Sequence, residues 1–292
     1  MKFHHIGLIT KLHSPLIEHT VKKLAEFLKE KKLDVLIEAN TAKLLKNIQL
    51  PSGDYQTLKK HCDLLIVIGG DGSFLHVARD IVSFNLPVIG INRGTLGFLT
   101  DIHPTEMTEK LEEILSGHYV EEKRFMLEVF TRQGRKIKRK ACALNEVVVT
   151  TSSVAQMIEF EIYINQTFMC SQRSDGLITT TPTGSTAYAL SAGGPIVHPA
   201  LDVITLIPMF PHTLNSRPIV LDSNQIVKIV LQDKIRALPH IYCDSQVNIK
   251  VDRGDTIYIH KLDQSLRLIH PMDYDYYKAL RSKLDWGKKL VP

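Results

Sequence analysis

A glycine-rich turn that contains an aspartate follows a run of apolar residues. The stretch LLIVI (64–68) leads into Gly69, Gly70, Asp71 and Gly72, and a helical pattern begins after them. Glycines let a backbone approach a phosphate closely, and the N-terminus of the next helix attracts anions. We therefore assign the three glycines to the region of a phosphate donor. A carboxylate has the wrong charge for that role, so Asp71 is predicted to meet a hydroxyl group and accept its proton, as the catalytic-loop aspartate of protein kinases does.

Two common phosphate motifs do not match this turn. A P-loop requires a lysine after its last glycine, and none follows here; a dinucleotide fingerprint requires a third glycine where Leu75 stands. The structural alternative is that Asp71 only caps the helix and shapes the turn. The turn by itself leaves the catalytic and the structural interpretation open.

Two further groups of polar residues have a composition suited to a ligand. Asn145 and Glu146 stand together at the start of an apolar strand, where they could hold two hydroxyls of a ribose. Residues 171–199 are crowded with glycines, hydroxyls and small residues, which is typical of a loop that wraps a ligand. In this segment, Arg173 is predicted to bind a phosphate or to form a surface ion pair with Asp175, worth at most ~1 kcal/mol.

The stretch GSTAYALS (184–191) predicts the N-terminus of a helix, which would attract an anion. Thr186 and Ser191 add two hydroxyls, and Tyr188 adds an aromatic ring for stacking.

The order of the predicted elements divides the chain in two. In the first part, strands rich in Ile, Val and Leu alternate with amphipathic helices, the first of which has Ser14 as its predicted N-cap. This alternation indicates parallel βαβ units. Alternating strand patterns such as MIEFEIYIN (157–165) then take over, and the last segment is helical again. We predict an α/β domain of residues 1–122, joined by 268–292, and a β-rich domain of residues 123–267.

Composition narrows the class of protein. The formal net charge of +5 over 292 residues is small and dispersed, so an anionic small ligand is permitted and nucleic acid is not required. The densest basic run, RQGRKIKRK (132–140), predicts a solvated hairpin. No apolar run reaches the roughly 18 residues that span a bilayer, so a cytosolic protein without membrane or nucleic-acid partners is expected. The four cysteines are far apart and indicate neither a disulfide framework nor a zinc site.

Several motifs together resemble those of bacterial NAD kinases. They are GGDG, NRGTLGFLTD, NE, SQRSDGLITTTPTGSTAYALSAGGPIVHP, ITLIPMFPHTLNSRPIV and CDSQ, and the likeness covers essentially the whole chain. The resemblance implies a Rossmann-like N-terminal α/β domain, a β-sandwich-like C-terminal domain to which the C-terminal segment does not belong, and an active site between the domains.

The same resemblance implies the reaction. Asp71 would be the base when the 2′-hydroxyl of the adenosine ribose of NAD attacks the γ-phosphate of ATP, which gives NADP and ADP. Mg²⁺ or another divalent metal is expected to arrive with ATP, and no metal site is assignable in the protein. The resemblance also implies a homotetramer or homodimer.

The site residues follow from the same comparison of motifs. Asp71 and Gly72 would meet the substrate, Phe74 would pack near its adenine, and Asn145 and Glu146 would hold ribose hydroxyls. The other implied NAD-binding positions are Arg173, Asp175, Thr186, Ala187, Tyr188, Ala189, Leu190, Ser191 and Gln246. Gln156 stands where relatives often have a basic residue, and His76 is either a ligand contact or an ordinary histidine on a helix surface.

Three alternative functions are weighed against this one. A lipid kinase of the diacylglycerol kinase type shares the GGDG turn but is expected to lack the motif at 171–199. A non-catalytic sensor would bind NAD and report its presence to a partner protein. In the third alternative, the glycine turns of an α/β protein are only structural. The long motif is highly specific and favours an NAD kinase.

Overall fold

The computed structural model describes residues 1–45, 47–94, 97–151, 156–232, 238–285 and 287. The chain divides into two compact units: unit 1 is Met1–Lys123 with Leu266–Pro292, and unit 2 is Arg124–Ser265. The domain boundaries predicted from the sequence lie close to these limits.

Unit 1 is built on a parallel sheet with helices. Its described strands are β1 (His5–Ile9), β2 (Asp34–Glu38), β3 (Ser52–Gly53), β4 (Leu64–Ile68) and β5 (Pro87–Ile91). Its described helices include α1 (Pro15–Glu30), α2 (Ala39–Leu44), α3 (Tyr55–His61), α4 (Asp71–Ile81) and α5 (Met107–Leu115). The spatial order of these strands is β5-β4-β1-β2-β3, and every neighbouring pair is parallel.

The local sequence explains these elements. The hydroxyl of Ser14 accepts a hydrogen bond from the backbone N–H of Ile17 at 3.2 Å, and Pro15 opens α1 with a backbone angle suited to a helix. All five residues of β4 are buried, as a parallel strand covered on both faces requires. The prediction of βαβ units is confirmed.

Unit 2 contains two antiparallel sheets. One contains the part of β6 (Val120–Gln133) that follows Lys123, β7 (Lys136–Ala143), β9 (Ile158–Ile164), β10 (Thr167–Ser174), β14 (Val227–Leu231) and the first part of β17 (Thr256–His270). The other contains β8 (Glu146–Thr151), β11 (Gly176–Thr180), β12 (Val203–Met209), β13 (Ile219–Asp222), β15 (Pro239–Cys243) and β16 (Val247–Lys250). A one-turn helix, α6, covers Tyr188–Ser191.

A single apolar core fills the space between these two sheets. Phe160 and Ile162 of β9 belong to the same buried cluster as Val147 and Val149 of β8. The alternation predicted for MIEFEIYIN is present, since Ile158, Phe160 and Ile162 are buried between more exposed neighbours. The β-sandwich-like prediction is confirmed.

Strand β17 is shared by the two units. Residues Val227 to Val230 of β14 pair antiparallel with its first part, whereas Arg267 and Leu268 pair parallel with β5. The last described helix, α7 (Tyr276–Leu284), follows it in unit 1. The predicted return of the C-terminal segment to the first domain is therefore confirmed. None of the described helices is long and apolar enough to cross a membrane.

Candidate functional site

The GGDG turn ends β4 and begins α4. Gly70 is the N-cap of α4 and Asp71 is its first residue, so the carboxylate of Asp71 is not the cap. Its hydrogen bonds go to another segment of the chain. The capping alternative raised from the sequence is therefore wrong, because a helix cap must precede the first helical residue.

Three donors hold the carboxylate of Asp71. Oδ2 accepts the backbone N–H of Phe98 at 2.9 Å, and Oδ1 accepts the backbone N–H of Leu99 at 3.1 Å. The hydroxyl of Thr100 donates to Oδ1 at 3.0 Å. An ionised carboxylate offers about four acceptor positions. The described residues use three of them, which fixes the orientation of Asp71, and none of the described residues fills the fourth position, on Oδ2.

The segment that supplies these donors is residues 97–102, called the 97–102 turn. A side chain at position 97 would place its Cβ on Oδ1 of Asp71, so only glycine fits there. The amide of Asn92 donates to Thr100 Oγ1 at 2.9 Å, and the backbone N–H of Asn92 donates to the carbonyl of Ile102 at 2.8 Å. The turn is thus bound both to the end of β5 and to Asp71.

The glycines of the turn have different roles. Gly69 has φ of +157°, and a Cβ there would lie 2.8 Å from Cβ of Ser73, so the fold requires glycine. At Gly70 and Gly72, a Cβ would meet no described atom within 4 Å, and neither has the left-handed backbone that favours glycine. The fold itself does not require these two glycines. They leave space beside Asp71 for a ligand to approach the backbone.

Two predicted contacts on α4 have contrasting environments. The ring of Phe74 is fully buried in the core of unit 1, so its proposed contact with adenine stays a prediction. His76 is exposed on the helix surface.

In unit 2, the residues of the NE motif lie in a turn held by a second carboxylate. Asp244 accepts the backbone N–H groups of Leu144 at 3.0 Å, Asn145 at 2.8 Å and Glu146 at 3.3 Å. Residues 144–146 are called the NE turn. Asp244 has a φ of +50°, an uncommon backbone for a residue with a side chain. It belongs to the CDSQ motif, in which Gln246 is exposed.

The carboxyl group of Glu146 is buried and incompletely paired. Glu146 is 3% exposed, and its Oε2 has no hydrogen-bond partner among the described residues. Burial, and then the neighbouring Asp244, raise its pKa from 4.5 to about 8. The folded protein therefore binds more protons here than the unfolded chain between these values, so this group makes the free energy of unfolding fall as pH rises across that range.

The start of the long loop after β11 packs on the NE turn. The hydroxyl of Thr180 donates to the carbonyl of Asn145 at 3.0 Å, and that of Thr181 donates to the carbonyl of Leu144 at 2.6 Å. A Cβ on Gly184 would overlap the carbonyl of Asn145. These contacts bring the TPTGS segment and the NE turn together in unit 2.

The rest of this loop contains a short helix. Thr183–Thr186 form a 3-10 turn, and the only α-helical residues that the structure describes in the motif are the four of α6. A helix therefore begins within the predicted stretch at Tyr188, but it is a single turn, and the anion site at its N-terminus stays a prediction. Thr186, Ala187 and Leu190 are partly buried, Ala189 is fully buried and Ser191 is exposed. The ring of Tyr188 is 43% exposed and offers a face for stacking.

The remaining predicted residues lie on or near β9 and β10. Nε of Arg173 lies 3.3 Å from Oε1 of Glu159 on the neighbouring strand, so its described ion pair is with Glu159 and not with Asp175. Asp175 is partly buried, and its carbonyl accepts the hydroxyl of Thr150 at 2.7 Å. Gln156 is exposed.

Comparisons with known proteins match both units. The model of the ATP-NAD kinase N-terminal domain matches residues 6–119, and that of the ATP-NAD kinase C-terminal domain matches residues 144–271. The NAD kinase of Pseudomonas entomophila (strain L48) is 49% identical over 289 residues, covering 99% of this chain and 98% of the relative. The chain belongs to the NAD kinase family. The NAD kinase of Pseudomonas putida (strain GB-1) is 48% identical over the same length and coverage.

Solved structures agree with this membership. The crystal structure of yeast NADH kinase complexed with NADH has the same fold, with a TM-score of 0.88 at 23% identity over 99% of this chain and 89% of that one. An NAD kinase from Archaeoglobus fulgidus in complex with ATP has a TM-score of 0.71 at 25% identity, over 96% of this chain and 97% of that one. The protein is an NAD kinase that uses ATP to convert NAD to NADP. The lipid-kinase and sensor alternatives are therefore excluded.

The geometry of this NAD kinase includes residues that sequence reasoning did not single out. They are Gly97 and Thr100, which position Asp71, and Asp244, which positions the NE turn. The motifs NRGTLGFLTD and CDSQ contained them, but no local pattern indicated that they contact the other motifs.

A substitution at Gly97 tests its role. Gly97→Ala places a methyl group on Oδ1 of Asp71, so the carboxylate must turn away from its donors. We expect kcat for NADP formation to fall about 100-fold, the cost of misplacing a reacting group by about 1 Å. Gly94→Ala is the control, because the nearest described atom to its Cβ is 3.9 Å away. Equal kcat values for the two folded variants would contradict this role.

Proposed function

We propose that Asp71 is the base that accepts the proton of the ribose 2′-hydroxyl of NAD. The observation that supports this is that Oδ2 accepts only one hydrogen bond from the described residues, while its neighbours in sequence, Gly70 and Gly72, would bring a Cβ within 4 Å of no described atom. The 2′-oxygen forms a bond to the γ-phosphorus of ATP, the bond from that phosphorus to the bridging oxygen breaks, and ADP leaves. Phosphoryl transfer depends mainly on alignment and charge neutralisation. A carboxylate fixed by three donors meets the first requirement.

Asn145 and Glu146 are proposed to hold ribose hydroxyls. The observation behind this is the buried Oε2 of Glu146, which has no described partner. A buried polar atom without a hydrogen bond costs free energy, and a ligand hydroxyl would remove that cost. An NAD molecule bound in the wrong orientation would leave the atom unpaired, so the same group contributes to selection of the correct hydroxyl.

The other NAD-binding positions are proposed with less direct support. The exposed ring of Tyr188 is suited to stacking on an aromatic ring of NAD. The remaining proposed contacts rest on the resemblance of motifs: Gly72, Phe74, His76, Gln156, Arg173, Asp175, Thr186, Ala187, Ala189, Leu190, Ser191 and Gln246. Gly69, Gly70 and Gly72 are proposed to face the phosphates of ATP.

A divalent cation is proposed to enter with ATP. Among the described residues, no group of three or more His, Cys, Asp or Glu side chains is arranged to hold a metal ion. Mg²⁺ commonly takes most of its oxygens from substrate phosphates and water, and when bound it would neutralise their charge. The part of the protein in this scheme is to orient the ribose and to receive the proton.

The base assignment is tested by Asp71→Asn. Asparagine cannot accept the proton, so we expect turnover to fall by about 10²- to 10⁴-fold. NAD affinity should change by less than about tenfold, or ~1.4 kcal/mol, because the NE turn is untouched. The measurements are the initial rate of NADP formation and calorimetric binding of NAD.

A second variant distinguishes a role of Asp71 as the base from a role only as an anchor of the 97–102 turn. Asparagine also loses hydrogen bonds to the 97–102 turn, because its NH₂ group cannot accept. Thr100→Val removes one of these bonds but leaves the carboxylate, and its turnover should stay within about tenfold of wild type. If both variants lose turnover equally, Asp71 is an anchor only and another group is the base.

The role of Glu146 predicts proton release on binding. Ribose hydroxyls that donate to its carboxyl group favour the ionised form, and the free group has its pKa raised to about 8 by burial and by Asp244. We expect NAD binding at pH 7 to release up to about one proton, seen as different calorimetric enthalpies in phosphate and Tris buffers. Glu146→Gln should abolish the difference and exposed Glu109→Gln should keep it. Binding of NAD to wild type without proton release would refute the assignment.

The oligomeric state and location stay predictions. We propose a homotetramer or homodimer, an expectation that rests on the resemblance, and a cytosolic location. Light scattering at micromolar concentration tests the first of these. A fully active monomer would overturn it.

A further inference from the structure

A buried cluster of charged groups adjoins the 97–102 turn in unit 1. His270, the last residue of β17, is 1% exposed. Its Nδ1 lies 2.8 Å from Oδ2 of Asp101, and its Nε2 lies 3.5 Å from Oε2 of Glu122. The second distance is that of an ion pair and exceeds a normal hydrogen bond. The ring of Tyr274 stacks on the imidazole, with centroids 3.9 Å apart and planes 13° from parallel.

This cluster is connected to the proposed base by a short series of contacts. Asp101 directly follows Thr100, which is fully buried and donates its hydroxyl to Asp71. The side chain of Asp101 is 9% exposed, and its Oδ1 has no hydrogen-bond partner among the described residues. The described partner of this carboxylate is therefore His270, on Oδ2. The position of the imidazole fixes Asp101, and Asp101 fixes one end of the turn that orients Asp71.

We propose that His270 is a positioning residue for phosphoryl transfer, which acts on Asp71 through Asp101 and the 97–102 turn. Loss of the charge on its ring loosens the turn and lowers turnover. This inference rests on the proposed role of Asp71 as the base.

The charge of the ring follows from the groups that surround it. Burial lowers the pKa of His270, but the hydrogen bond to Asp101 and the nearby carboxylate of Glu122 outweigh burial, and the pKa is raised above 6.5. The described titratable groups that face the ring are Asp101 of the turn, Glu122 of β6 and Tyr274 after β17. A neutral ring would remove the positive charge that faces the almost fully buried carboxylate of Asp101, which is costly.

The direction of the pH effect follows from that raised pKa. Below 6.5 the ring is charged in both the folded and the unfolded chain, and the ion pairs are complete. As pH rises through the folded value, the ring loses its proton and the stabilisation is lost. Turnover of the wild type is therefore expected to decline as pH rises above 6.5 and through the folded value.

The experiment compares His270→Gln with His103→Gln. Glutamine can donate one hydrogen bond to Asp101 but carries no charge at any pH. At pH 7, kcat for NADP formation by His270→Gln should fall about 3- to 30-fold, the range expected when one member of a packed network is removed. Its decline with rising pH should be absent, and KM for NAD should stay within about twofold because the NE turn is unchanged. His103 is exposed and two residues from Asp101, so His103→Gln should retain both the wild-type kcat and the wild-type pH profile.

A second measurement does not depend on activity. The backbone N–H groups of Phe98 and Leu99 are protected by Asp71, so a peptide that spans them should exchange hydrogen for deuterium at least about fivefold faster in His270→Gln than in wild type. Asp101→Asn, which keeps the histidine, should accelerate exchange in the same peptide. This variant keeps the inference testable if His270→Gln does not fold.

A double variant, His270→Gln with Asp71→Asn, separates the inference about His270 from the assignment of Asp71 as the base. If His270 acts through Asp71, adding His270→Gln to Asp71→Asn should lower turnover by less than about twofold. A folded His270→Gln protein with the kcat, pH profile and hydrogen exchange of wild type would overturn the inference. Near-normal turnover of Asp71→Asn alone would instead overturn the base assignment.

Discussion

Each half of this protein depends on one aspartate carboxylate that accepts three hydrogen bonds from a neighbouring turn. Asp71 holds the 97–102 turn in unit 1, and Asp244 holds the NE turn in unit 2. Hydrogen bonds to a charged acceptor are stronger and more directional than those between neutral groups. Each turn is therefore held in one conformation. In both cases an aspartate fixes the conformation of a turn that carries or orients residues proposed to act on NAD.

The two carboxyl groups of the NE region differ because their environments differ. Asp244 accepts three backbone N–H groups, whereas Glu146 is buried beside it and one of its oxygens has no hydrogen-bond partner among the described residues. Burial and the neighbouring Asp244 raise the pKa of Glu146 to about 8. An acid that holds a turn and an acid proposed to bind a ligand thus lie side by side. Strand β8, which begins at Glu146, is buried along most of its length and contributes rigidity to this region.

Local patterns predicted most of the elements, and long-range contacts explain what they could not predict. Helix α1 was predictable from a cap, a proline and a repeat of apolar residues, all close together in the chain. The contacts of Asp71 join residues 27 to 29 positions apart, and those of Asp244 join residues 98 to 100 positions apart. No periodicity encodes such pairs. The contacts of Thr181 and Gly184 with the NE turn are likewise long-range, and local composition did not indicate them.

The path of β17 imposes an order on how the protein is made. Its last residues pair with the edge of β5, and they lie more than 170 residues further along the chain. During synthesis on the ribosome, β5 therefore emerges long before its neighbouring strand, and its edge waits unpaired while the whole of unit 2 is translated. Domains generally fold in the order of synthesis, but unit 1 cannot complete its sheet in that way. The imidazole that contacts Asp101 belongs to the same late strand, so the nascent chain forms this buried ion pair only near the end of translation.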